Sequence, residues 1–199
     1  MTRIKICGIT NIEDALAAAE LGTDMIGFVF AESRRKISPQ AARQISEALP
    51  PFVSTVGIFM DQMYSDVEDL SEYVRLDMIQ LHGTESPKYC ERLERRRKVI
   101  KRIPVRREDT AESLETQMQR FSVSAFLLDP GAGNGVIFDW RIAKEIRRPF
   151  IVAGGLTPEN VRDVIRMLNP LGVDVSSGVE KEIGKKDFDK MKKFILEAR

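Results

Sequence analysis

Short apolar runs alternate with longer amphipathic stretches along the whole chain, and that rhythm predicts alternating strands and helices. Strands are expected from Ile4 to Cys7, Met25 to Phe30, Val53 to Phe59 and Asp77 to Leu81, then Val99 to Ile103, Ala125 to Leu128, Phe150 to Ala153 and Val173 to Val175. Helical patterns fall between and after them, near residues 12–21, 39–48, 63–73, 86–95, 108–119, 139–146, 159–168 and 187–197. Local signals support the boundaries. Thr10 or Asn11 suits the cap of the first helix, Gly22 stops it, and Ser38-Pro39 is a cap followed by a first-turn proline.

Strands separated by helices require parallel crossover connections. The 199 residues hold eight such units of about 25 residues each, which favours a single-domain α/β protein, a closed (β/α)8 TIM barrel over residues 1–199. An open doubly wound sheet is the alternative. Its glycine-rich dinucleotide fingerprint is missing, because Cys7-Gly8-Ile9-Thr10 follows the first strand.

In a barrel, alternation sorts side chains into those under the helices and those facing the interior. Ile4 and Ile6 go outward, while Lys5 and Cys7 go inward. Gln80 and His82 alternate against Ile79 and Leu81, Asp129 shares parity with Leu127, and Asp174 and Ser176 alternate against Val173 and Val175. Lys101 is in phase with Val99 and Ile103, which leaves its facing open. Polar groups therefore gather near the C-terminal ends of several strands, where such barrels place their active sites. A purely structural network, such as Lys5 with Asp174, is the competing explanation, since buried polar groups need partners.

Two loops add an independent signal. Gly154-Gly155-Leu156-Thr157-Pro158 follows the seventh strand, with Thr157 before Pro158 as a helix start. Ser176-Ser177-Gly178-Val179-Glu180 follows the eighth. Exposed amides and helix N-termini bind phosphate, and these are the loops in which barrels often hold one. Phosphate-binding candidates are Gly154, Gly155, Ser177 and Gly178.

Composition narrows the chemistry. A net charge of +1 argues against nucleic acid or an anionic membrane as partner. No apolar run approaches a membrane span, no signal-peptide pattern opens the chain, and two distant cysteines suit a reducing cytoplasm. Cys90 sits in a charge-dense helix and is expected only to pack, with Glu91–Lys98 as a solvated face. His82 is the single histidine, so a histidine-rich metal site is excluded and no metal is expected. Cys7 is either a small hydrophobe of the core or a reactive thiol, for which the adjacent Lys5 ammonium should favour the thiolate and lower its pKa.

The chain resembles the phosphoribosylanthranilate isomerase family of tryptophan biosynthesis from end to end. The motifs are Lys5-Ile6-Cys7-Gly8-Ile9-Thr10, Gly27-Phe28-Val29-Phe30, Arg35 ahead of Ile37-Ser38-Pro39, and Gln80-Leu81-His82-Gly83. They continue with Leu127-Leu128-Asp129, Phe138-Asp139-Trp140, Gly154-Gly155-Leu156, Asp174 to Glu180, and Gly184-Lys185-Lys186-Asp187. The resemblance implies an Amadori rearrangement of N-(5-phosphoribosyl)anthranilate without metal or organic cofactor. By motif position Cys7 is similar to the general base, Asp129 to the general acid and Arg35 to the residue that holds the anthranilate carboxylate, with Arg34 or Lys36 as substitutes. Lys5, Gln80, His82 and Asp174 are the remaining substrate-binding candidates. The partner implied is a small phosphosugar, and the assembly a monomer or homodimer. A related histidine-pathway isomerase would carry a carboxylate where this chain has Cys7, a phosphopentose epimerase would need more histidines, and a non-catalytic phosphometabolite binder would not need both an acid and a base. Asp129 is followed by a compact loop, Pro130-Gly131-Ala132-Gly133-Asn134-Gly135.

Overall fold

The computed structural model describes residues 1–131 and 139–199. Eight parallel strands close into a barrel in sequence order: β1 (Arg3–Cys7), β2 (Met25–Val29), β3 (Ser54–Phe59), β4 (Met78–Leu81), β5 (Lys98–Pro104), β6 (Ala125–Asp129), β7 (Phe150–Val152) and β8 (Gly172–Val175). The expected (β/α)8 architecture is therefore the one observed. Most of the loop foreseen after Asp129, together with Phe138, lies outside the described residues.

The helices are α1 (Ile12–Glu20), α2 (Pro39–Ala48), α3 (Tyr64–Val74), α4 (Pro87–Glu94), α5 (Ala111–Gln119), α6 (Val161–Leu168) and α7 (Phe188–Ala198). Local chemistry sets their starts. The side chains of Asn11, Ser38 and Ser86 accept from the amides of Asp14, Ala41 and Tyr89, and Pro39 and Pro87 take first-turn positions where no amide hydrogen is needed. Between β6 and β7 the expected helix is only a 3-10 segment, Trp140–Glu145. After β8 comes a 3-10 turn, Ser177–Val179, then an antiparallel pair that the strand pattern does not reveal, β9 (Glu180–Glu182) and β10 (Lys185–Lys186).

Two apolar layers hold the barrel. Outward residues such as Ile4, Ile6, Phe28, Val99, Leu128 and Val173 pack under the helices, each contributing roughly 1.5–3 kcal/mol by burial. Inward residues Met25, Val56, Ile100, Leu127 and Ile151 fill the interior. Above this plug the inward positions become polar. Lys101 belongs with the outer set: it is buried in phase with Val99 and Ile103, bonded to Glu85 and to the Gly83 carbonyl under the loop after β4.

Candidate active site

A cavity of about 140 Å³ opens to solvent at the C-terminal mouth. Cys7, Arg35, Gln80, His82, Asp129 and Asp174 line it, together with Gly154, Gly155, Ser176 and Ser177. Strand ends from β1, β4, β6 and β8 thus converge as the alternation predicted.

β1 sets the floor. Lys5 is fully buried, does not itself line the cavity, and donates from Nζ to Asp174 Oδ1 at 2.9 Å, with which it is also paired in strand register. Gly27 faces Cys7 across the β1–β2 register. A Cβ on Gly27 would lie 3.1 Å from both Cys7 Sγ and Lys5 Nζ, so the missing side chain is the space these two occupy. Both readings of Lys5 hold together: it is a satisfied structural cation and an immediate neighbour of the thiol.

The expected depression of the Cys7 pKa is not what the structure gives. Burial pushes the thiol up, and the Asp174 carboxylate adds to it. The Lys5 and Lys186 ammoniums pull the other way without overcoming burial, because Lys5 is already engaged by Asp174. A thiol held above its ordinary pKa is in the protonated form near neutral pH.

Asp129 ends β6 on the opposite arc. Its Oδ2 lies 3.1 Å from His82 Nε2 and 3.3 Å from Arg102 Nε, and Oδ1 accepts from the Gly131 amide at 3.2 Å. Gln80 Nε2 stands 3.2 Å from His82 Nδ1. With Gln80 donating there, the imidazole proton sits on Nε2, directed at Asp129. The neighbours of the carboxyl are a guanidinium and an imidazole.

Arg35 reaches the wall from the loop after β2. Gly8, at φ 73°, lies directly beneath its stem: a Cβ there would sit 2.7 Å from Arg35 Cδ. The guanidinium donates from Nε and a terminal nitrogen to the two oxygens of Glu180, at 2.8 and 2.7 Å. Those bonds raise the Arg35 pKa further above its ordinary value. Of the alternatives, Arg34 and Lys36 do not line the cavity.

The two glycine loops meet at the rim. Gly154 and Gly155 adopt φ values of 86° and 64°, which only glycine takes without strain. Asn160 braces this loop by accepting from the Thr157 amide and donating to the Gly155 carbonyl, at 2.8 and 2.9 Å. Those ties hold residues 157–160 as a turn, so α6 starts at Val161 rather than directly after Thr157. Gly178 has a different part. A Cβ on it would meet the Leu156 carbonyl oxygen at 1.9 Å, so this glycine is where the loops touch each other.

A family model for N-(5'-phosphoribosyl)anthranilate (PRA) isomerase matches residues 4–197. The chain belongs to the PRA isomerase family. Curated relatives of that name from Geobacter sulfurreducens and Thermotoga maritima are each 44% identical, covering all of this chain and 99% of theirs. A phosphoribosyl anthranilate isomerase structure from Thermus thermophilus is 41% identical with a TM-score of 0.91, over 98% of both chains. Another, 43% identical with a TM-score of 0.88 over 100% of this chain and 98% of that one, is a complex with reduced 1-(o-carboxyphenylamino)-1-deoxyribulose 5-phosphate.

Alternation and composition single out neither Arg102 nor Glu180 and Lys186, although the last two lie within the PRA isomerase family motifs. For Arg102 a signal existed. Lys101 and Arg102 are adjacent cations on one strand and must face opposite sides, so placing Lys101 outward sends Arg102 inward beside Asp129. Glu180 and Lys186 depend on the short β9–β10 pair, which leaves no periodic trace.

Proposed function

We propose that this chain isomerises N-(5'-phosphoribosyl)anthranilate to 1-(o-carboxyphenylamino)-1-deoxyribulose 5-phosphate, a step of tryptophan biosynthesis. The observation that carries the reading is that Cys7 and Asp129, from strands far apart in sequence, open on one cavity that Arg35 and both glycine loops also line. Family membership supports the same substrate.

The phosphate sits on the loops around Gly154, Gly155 and Ser177, and Arg35 faces the anthranilate carboxylate. Asp129 gives its proton to the ribose ring oxygen as the bond from that oxygen to C1 breaks, leaving an iminium at C1. His82, with its Nε2 proton, and Arg102 then stabilise the carboxylate that remains. Cys7, having released its thiol proton to solvent, takes the proton from C2 as thiolate, and the electron pair forms the enolamine that relaxes to the ketone. Burial disfavours that thiolate, but the iminium brings a positive charge close to it, beside Lys5. The reaction uses acid–base steps throughout and needs no organic cofactor. A free thiol as base suits a reducing compartment, and we place the enzyme in the cytoplasm.

The deciding experiment is turnover of phosphoribosylanthranilate by the purified protein, followed through loss of the substrate and identification of the carboxyphenylamino-deoxyribulose phosphate. Absence of turnover in a folded preparation overturns the reading.

A further inference from the structure

A buried charge cluster next to the cavity joins Arg35 to Glu180 and Lys186, two residues to which the steps above give no part. Glu180 and Lys186 face each other as the cross-strand pair of the β9–β10 hairpin, which the eight-stranded barrel does not require. Glu180 takes the guanidinium of Arg35 on both of its oxygens. Its Oε1 also accepts from Lys186 Nζ at 2.8 Å and from the Gly184 amide at 3.4 Å. Lys186, with its side chain fully buried, donates further to the carbonyl and hydroxyl oxygens of Ser176 at 3.3 and 3.4 Å, and Ser176 lines the cavity. The hairpin is itself anchored, by Thr10 Oγ1 on the Gly184 carbonyl at 2.5 Å and by the Lys186 amide on Asp14 at 2.7 Å.

The charge count is informative. Arg35 with Glu180 alone would be neutral, and a neutral fork leaves little attraction for an anion. Lys186 makes the cluster two cations around one carboxylate, a net charge of +1 beside the cavity. Burying an ammonium is costly, and that cost offsets much of what the second cation adds to stability. Its effect is to keep the wall positive while Glu180 fixes the orientation of the guanidinium.

We propose that Glu180 and Lys186 are positioning residues for Arg35. Together they set the preference of the cavity for an aromatic amine that carries a carboxylate. The inference rests on the role given to Arg35 above, and it extends that role to two residues that do not touch the substrate.

The test compares two product analogues, reduced 1-(o-carboxyphenylamino)-1-deoxyribulose 5-phosphate and its counterpart without the carboxyl group. Wild type, Glu180→Gln, Lys186→Met and Arg35→Met are titrated with each, and KM and kcat are measured alongside. Glu180→Gln and Lys186→Met are each expected to weaken the carboxylate analogue about tenfold and leave the carboxyl-free one nearly unchanged. KM should rise by a similar factor, with kcat held in Glu180→Gln and lowered in Lys186→Met, because the Lys186 ammonium also favours the Cys7 thiolate. Adding Glu180→Gln to Arg35→Met should change little further, because both act through one contact. Glu180→Asp, which keeps the charge but shortens the reach, replaces Glu180→Gln if that variant does not fold, with the same loss of preference expected. Equal weakening of both analogues, or a lowered thermal midpoint with preference intact, overturns the proposal and leaves the cluster structural. A wild type that binds both analogues equally removes the carboxylate role of Arg35, and the proposal with it. A wild type that binds neither overturns the isomerase reading itself.

Discussion

Lys5 Nζ and Asp174 Oδ1 meet at 2.9 Å across the β1–β8 seam, where the first and last barrel strands close the sheet. The pair is satisfied and buried, so removing either partner alone should strand a charge inside the barrel. It also controls Cys7. Burial raises the thiol first, and Asp174 adds to that while engaging the Lys5 ammonium, so adjacency of Lys5 in the sequence does not translate into an acidic thiol.

A direct consequence concerns thiol ionisation. The rate of Cys7 alkylation by iodoacetamide should rise with pH to a midpoint above the ordinary thiol value of roughly 8.5, because burial is the largest influence on it. Asp174→Asn should move that midpoint down, since it removes a nearby anion and frees Lys5. Site-resolved mass spectrometry separates Cys7 from Cys90, which is buried and held up at about 11. A midpoint in Asp174→Asn equal to that of wild type would mean that Asp174 does not govern the thiol.

The glycine loops should divide into two kinds of variant. Gly155→Val places a side chain where φ is 64°, at the cavity rim, and should weaken binding of a phosphate-bearing analogue by more than it lowers the thermal midpoint. Gly178→Val drives a Cβ into the Leu156 carbonyl and should impair folding first. Analogue affinity and thermal midpoint, measured for both, check the division. Equal losses of affinity at unchanged stability would return Gly178 to the binding surface.

Much of this arrangement was legible because the barrel obeys simple alternation. Inward placement of Cys7, Gln80, Asp129 and Asp174 follows from parity against Ile6, Leu81, Leu128 and Val173, which only a packed outer layer could accommodate. Three things escaped. The direction of the Cys7 shift depends on how Lys5 divides its charge between a thiol and a carboxylate from residue 174, a three-dimensional balance. The hairpin holding Glu180 and Lys186 is too short to leave a period. Gly178 and the phosphate-loop glycines look alike in sequence, and only the carbonyl of Leu156 tells them apart.

Stability at low pH should carry the mark of Glu180. Burial opposes its ionisation, but the hydrogen bonds and charges of Arg35 and Lys186 win and hold the carboxyl down to about 2. A folded pKa below the unfolded value of about 4.3 stabilises the protein above that pH, and the contribution fades as pH falls through about 2. Its ceiling is on the order of 3 kcal/mol, offset in part by the burial of Lys186, whose own pKa is depressed. The gap in thermal midpoint between wild type and Glu180→Gln should therefore be widest above pH 5 and shrink toward pH 2. A gap independent of pH would show that loss of this carboxylate is felt through packing alone.

The catalytic pair gives the sharpest test, because chemistry and folding predict opposite patterns for it. Cys7→Ser keeps the shape but substitutes a hydroxyl too basic to ionise near neutral pH. Asp129→Asn keeps the volume and the contacts of one oxygen with Arg102 and His82 but has no proton of the needed acidity. Each should lower kcat by on the order of 10²–10⁴-fold, the usual share of a positioned acid or base. Affinity for the reduced product analogue should change far less, since the phosphate loops and Arg35 lie elsewhere in the cavity. Arg35→Ala is the contrast: it should raise KM more than it lowers kcat. The thermal midpoint decides between the explanations. Cys7 packs against Lys5 and Gly27 in a tight space, yet serine is smaller than cysteine there, so the fold should survive. A folded Cys7→Ser protein with near-normal turnover would remove the thiol from the mechanism. Activity that falls only in step with stability would reduce both residues to structural parts of the barrel mouth.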